Sequence, residues 1–243
     1  MQLASINNVY TIVKNAANAN QRGFVTPSQI NAFALSVQQE VFQDIVGDYT
    51  LATANMQRYI TQKQGEFNSI GELEDFLRPL MRFDEILTYA SGKFTTPSTY
   101  AHYSAITYKN IDVTIISPSE FSFARNSFLA PPSDDMPIGV FESNGVTILP
   151  STINADVKMS YYKFPQGSNP TTGASVTSNP TWGYNTIGDS VLYNPATSIN
   201  FELPKILESR LASRILSYVG INLRETELVQ FAEVQQKKEN LNG

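Results

Sequence analysis

The 243-residue chain contains no cysteine, so it has neither a disulfide framework nor thiolate metal ligands, and its redox compartment is left open. Its single histidine, His102, excludes a multi-histidine zinc site; any partner ligands would have to be carboxylates placed by the fold. Basic residues are in deficit. Lys and Arg number 17 against 22 Asp and Glu, a net charge of −5, which argues against a broad cationic face built to hold phosphate backbones. No window approaches eighteen consecutive apolar residues, and Met1 to Tyr10 lack the basic start and apolar run of a secretion signal, so a soluble, unprocessed chain without a membrane span is expected. There is no glycine-rich phosphate loop, dinucleotide fingerprint or zinc-protease helix motif, and no cofactor is expected.

What is present is a chain that is 42% hydrophobic and only 16% charged, with Asn, Gln, Ser and Thr supplying much of the polar surface. Folding a chain of this size buries roughly 70 to 75% of its unfolded surface, so it needs no covalent staples. The organising stretch is Thr26 to Gln64, which reads as one amphipathic helix. Thr26 caps it, Pro27 suits the first helical position, and Gln29 stands where a capping box places Glu or Gln. Apolar residues step by three or four through Ile30, Phe33, Ala34, Val37, Val41, Phe42, Ile45 and Tyr49, then Ala52, Met56, Tyr59 and Ile60. Unbroken, such a helix is on the order of 55 Å long, more than one small core covers, so its far half requires another chain or a second layer.

A short helix from Ser5 to about Ala19 precedes it, and Ser69 with Glu72 opens another that ends at Pro79. From about Phe83 the texture turns to strand and turn chemistry. Strands are expected at Ile86 to Tyr89, Tyr100 to Lys109, Asp112 to Ile116 and Val157 to Phe164, with a short helix at Ser119 to Phe128. Ile138 to Leu149 reads as a hairpin whose Asn144 and Gly145 supply a type I′ turn, and Trp182 to Tyr184 with Ser190 to Tyr193 as a second hairpin around Ile187 to Asp189. Gln166 to Pro180 reads as a flexible loop. Helix returns at Pro204, closes at Gly220, and resumes at Asn222 with Leu228, Phe231, Ala232 and Val234 on a thin apolar face. The expected fold is therefore α+β: a helical bundle from both chain ends, 1–82 and 200–243, built on one long central helix, with an antiparallel β-rich insertion at 83–199.

No residue pattern announces catalysis. His102 lies in an alternating strand between Tyr100 and Tyr103, and reads as a strand or surface histidine. Asp84 with Glu85, Asp134 with Asp135, and the group Glu72, Glu74, Asp75 are neighbours in sequence, whereas a glycosidase or a magnesium site needs carboxylates that converge across space. The 72–75 group reads as acids at a helix N-terminus and Asp134 with Asp135 as a solvated loop. Tyr161, Tyr162, Phe164, Trp182, Tyr184 and Tyr193 could form a sugar-stacking platform, but core filling or subunit contact is the commoner use of such residues. Lys237 and Lys238 favour a helix C-terminus, or a neighbouring acidic surface.

Three segments carry a resemblance: Asn20 to Phe42, with Arg22-Gly23-Phe24-Val25-Thr26-Pro27; Met159 to Pro204, with Tyr161-Tyr162-Lys163, Pro180-Thr181-Trp182-Gly183-Tyr184, Tyr193-Asn194-Pro195 and Ser198-Ile199-Asn200-Phe201-Glu202-Leu203-Pro204; and Ile215 to Lys238. In order and phrasing this layout resembles the head-to-tail connector, or neck ring, proteins of short-tailed phages, most closely those of crAss-like Bacteroides phages. The resemblance implies a non-enzymatic virion protein of the neck, assembled in the host cytoplasm. About twelve copies would form a ring between the capsid portal and a further ring or tail protein, passing DNA through without recognising its sequence. On that reading Met56, Tyr59, Ile60, Phe231, Val234, Lys237 and Lys238 are the candidate interface. The alternatives are a carbohydrate-binding or tail-associated adhesion module and, behind it, a hydrolase whose acids converge only in three dimensions.

Overall fold

The computed structural model describes residues 2–19, 25–58, 64–129, 131–188 and 190–219. Its helices are α1 (Ile6–Ala19), α2 (Pro27–Arg58), α3 (Gln64–Leu77), α4 (Pro118–Arg125) and α5 (Glu208–Tyr218). Strands β1 (Met81–Ile86), β2 (Thr88–Ala90), β3 (Lys93–Thr95), β4 (Tyr100–Tyr108), β5 (Ile111–Asp112) and β6 (Thr114–Ile115) precede α4. After it come β7 (Ile138–Glu142), β8 (Gly145–Leu149), β9 (Val157–Lys163), β10 (Gly167–Ser168), β11 (Ser175–Val176), β12 (Tyr184–Ile187), β13 (Ser190–Tyr193) and β14 (Asn200–Phe201). The chain divides into two compact units, Met1–Leu80 with Pro165–Gly243, and Met81–Phe164.

In the first unit α2 begins as its sequence dictates. The Thr26 N–H donates to Gln29 Oε1 at 3.0 Å and the Gln29 N–H to Thr26 Oγ1 at 3.3 Å, closing a reciprocal cap. Ile30, Ala34, Val37, Val41, Phe42 and Ile45 form its buried stripe, and α5 packs on it through Leu211, Ala212, Ile215 and Leu216. Each fully buried side chain of this kind contributes about 1.5–3 kcal/mol. Asp44 of α2 accepts from Arg210 at 2.9 Å and Arg214 at 2.8 Å, while Phe33 stacks on Tyr218, so the two helices run antiparallel.

The start of α1 is satisfied from the far end of the chain: the Ile6 N–H donates to Asn200 Oδ1 at 3.0 Å and the Ser5 N–H to Glu208 Oε1 at 2.9 Å. Ala4 N–H to Leu203 O at 2.8 Å and Phe201 N–H to Ala4 O at 3.2 Å lay the N-terminal residues along β14. Buried Gln38 donates to Gln166 O at 2.6 Å and accepts from the Glu202 N–H at 2.7 Å, tying α2 to the β10–β14 ladder.

The second unit holds two sheets, one ordered β1-β9-β4-β5 and one β2-β3-β8-β7-β6. Its core contains Phe94, Ile106, Val146, Ile148, Val157, Met159 and Tyr161.

The expected architecture is corrected in several respects. Among the described residues five helices stand beside fourteen strands in four sheets, rather than a helical bundle with one inserted β region. Among the described residues there is no single long central helix. α2 is described as far as Arg58, and the buried residues described on it end at Ile45, none of Val46 to Ala54 being buried. α3 packs against α2, with Tyr49 donating to Glu74 Oε1 at 3.3 Å. α3 starts at Gln64, with Gly65 and Ser69 inside it, so Ser69 is not its cap.

The β structure is not purely antiparallel, because β6 and β7 pair in parallel. The 166–180 stretch, expected to be a loop, carries β10 and β11, which pair with each other, and β10 pairs with β14. In the β7–β8 hairpin Glu142 faces Gly145, which leaves Ser143 and Asn144 as the turn, and neither of these nor Gly145 has positive φ. Gly145 is needed for another reason. A Cβ there would lie 2.2 Å from the carbonyl oxygen of Phe94 on the adjoining β3, so only glycine lets the two strands approach.

Candidate interaction surface

The aromatic residues separate into two environments. Trp182, 3% exposed, is held on every side: Tyr10 stacks on it at 3.9 Å and 12°, its Nε1–H donates to Asn7 Oδ1 at 3.0 Å, and its backbone exchanges hydrogen bonds with the Asn31 side chain at 2.7 and 3.2 Å. Tyr184 and Tyr193 flank it at 5.8 and 5.7 Å. A ring so enclosed presents no face to a sugar. Tyr161 and Tyr162 are buried as well, Tyr161 donating to Glu85 Oε2 at 2.7 Å. Of the six residues that would form a stacking platform, Tyr161, Tyr162 and Trp182 are interior packing, whereas Tyr193 is half-buried and Phe164 and Tyr184 are exposed.

The acidic groups stay apart. Asp84 sits in a bulge at φ 52°, its N–H donating to Ser160 Oγ. Asp134 accepts from Thr152 at 3.2 Å. Glu72, Glu74 and Asp75 lie toward the C-terminal end of α3, not at a helix start, and Asp75 pairs there with Arg78 at 2.5 Å. His102 is half-buried on β4 beside the Tyr103 ring, and burial pushes its imidazole below the usual histidine range, favouring the neutral form. Among the described residues no three His, Asp or Glu side chains form a group able to hold a metal ion, and no helix is long and apolar enough to cross a membrane.

The second aromatic environment is α4 and the segment after it. Ser117 caps α4 with a complete capping box: its N–H donates to Glu120 Oε2 at 3.0 Å and the Glu120 N–H donates to Ser117 Oγ at 3.3 Å. The helix is thus well formed, yet none of its residues is buried. From Phe123 to Met136 the chain presents Phe123 (79% exposed), Phe128 (97%), Leu129 (95%) and Met136 (75%) to solvent. The far root of this arm is a tight turn, with Met136 N–H to Ser133 O at 3.0 Å, held by the Thr152 to Asp134 bond.

Isolated exposed apolar residues are ordinary on a protein surface; four between Phe123 and Met136 make this segment a candidate interaction surface. In the same unit a cavity of about 330 Å³ is lined by Ile86, Lys109, Asn110, Asp156 and Lys158. Ile86 stands on the edge strand β1 and is 72% exposed.

Of the interface residues expected from sequence, Met56 lies on α2 but its side chain is outside the described residues, as are Tyr59, Ile60, Phe231, Val234, Lys237 and Lys238. Phe123, Phe128, Leu129 and Met136 were not anticipated as a surface. A signal was available: Phe121 and Phe123, two apart, point to different sides of a helix, so a short lone helix cannot bury both. Neither a protein-family model nor a curated protein matches this sequence.

Proposed function

We propose that the chain is a structural subunit of a phage neck, a non-enzymatic protein whose copies, about twelve, close into a ring between the capsid portal and the next ring or tail protein. The reading joins the sequence resemblance to one observation, the projecting arm with Phe123, Phe128, Leu129 and Met136 exposed. An apolar surface carried on a capped helix and a pinned turn is suited to burial against another macromolecule. The net charge of −5 suits a channel through which DNA slides, since cationic contacts would retain it. Genomic DNA would pass without specific recognition.

Electron microscopy of the purified protein over a concentration series, alone and with the portal, tests this directly. Annular particles are expected. A chain that stays monomeric in both conditions would refute it.

A further inference from the structure

We propose that the Phe128–Leu129 corner of one copy seats in the cleft lined by Ile86, Lys109 and Lys158 on the next copy, forming the repeated contact of the ring; the inference rests on the ring reading. The corner is a knob without a socket: Phe128 and Leu129 touch almost nothing of their own chain. The segment that carries it is anchored by the Ser117–Glu120 cap at one root and the Ser133 to Met136 turn at the other, which lowers the entropy lost on docking.

The cleft is a socket without a knob. Its lining includes the exposed side chain of Ile86 and two lysines, whose aliphatic stems can accept an apolar group while their ammonium groups face an aromatic ring. Lys109 already makes such a contact, its Nζ 4.9 Å from the centre of the Tyr108 ring.

Charge favours the pairing. The arm carries Glu120, Asp134 and Asp135 against one cation, Arg125, whereas the cleft carries Lys109 and Lys158 against one acid, Asp156. A knob and a socket on different patches of one molecule make a heterologous contact, the kind that repeats around a ring.

The absence of native cysteine makes a clean test available. Chains carrying Leu129→Cys are mixed with chains carrying Ile86→Cys under mild oxidation. A disulfide-linked pair containing one chain of each kind is expected, with far less from the control mixture of Leu129→Cys and Leu51→Cys. Phe128→Ser should weaken self-association about tenfold or more while leaving the unfolding transition in place.

If annular particles form but no mixed disulfide appears, the contact is wrong and the ring reading stands. An equal yield from the Leu51→Cys control, or a disulfide closing within single chains that carry both Leu129→Cys and Ile86→Cys, would also overturn the contact. If no rings form alone or with the portal, both readings fall.

Discussion

Trp182 and Phe128 are both large aromatic residues in stretches poor in regular structure, yet they do opposite work. Trp182 is enclosed by Tyr10 and has its indole N–H and backbone groups bonded to Asn7 and Asn31. Phe128 has almost all of its surface in water. The first closes the chain on itself, joining α1, α2 and the start of β12 across more than 150 positions. The second is left in solvent, where the proposed neighbouring copy would meet it. Apolar content alone therefore does not measure the core, since part of it is placed where the fold cannot use it.

The sharpest way to break this comparison is Trp182→Ala. Removing a buried aromatic and leaving Asn7 without its partner should destabilise the first unit by about 3–5 kcal/mol, read as a lowered midpoint in urea unfolding. A loss below about 1 kcal/mol would mean the clamp is not structural. Next in size, Gly145→Ala forces a Cβ against the Phe94 carbonyl and should cost about 1–3 kcal/mol in the second unit. A neutral result would show that β3 and β8 can move apart freely.

The contrast bears on what the sequence made legible. Local rules succeeded where the partner is three or four residues away: the Thr26–Gln29 cap and the α2 stripe from Ile30 to Ile45 were readable because helix chemistry is local. The second strand of the β12–β13 hairpin was equally readable, but its first strand lies at Tyr184–Ile187, with Ile187 paired to Ser190 and not in the turn. Failure came where the deciding neighbour is distant. Gly145 looked like a turn glycine, but a strand about fifty residues earlier, β3, claims it. The 166–180 stretch looked like a loop because Gly167 and Ser168 carry no large side chain, yet the ladder to β14 and the Ser168 bond to the Phe201 carbonyl at 2.7 Å hold it in place. α2 extended as far as its periodicity only in pattern, because nothing in an apolar stripe records whether a second layer is present to bury it. Exposure of Phe128 is of the same kind: residue type is local, and solvent access is not.

A smaller effect separates packing from charge. Asp44→Asn removes the carboxylate that holds Arg210 and Arg214, but all three side chains are more than a third exposed, so the cost should be about 1 kcal/mol or less. It should shrink further as salt is raised, because exposed charges are screened. A loss unchanged by salt would instead assign Asp44 a packing role on α2.

The smallest expected effect on folding is also the most informative. Phe128→Ser deletes a ring that contributes almost no buried area, so the unfolding free energy of the isolated chain should change by about 0.5 kcal/mol or less. Measured at a concentration low enough to keep the chain monomeric, a near-zero change places Phe128 outside the core. A loss approaching that of Trp182→Ala would mean that the arm folds onto its own chain in solution, and the division between enclosed and outward-facing aromatics would no longer hold.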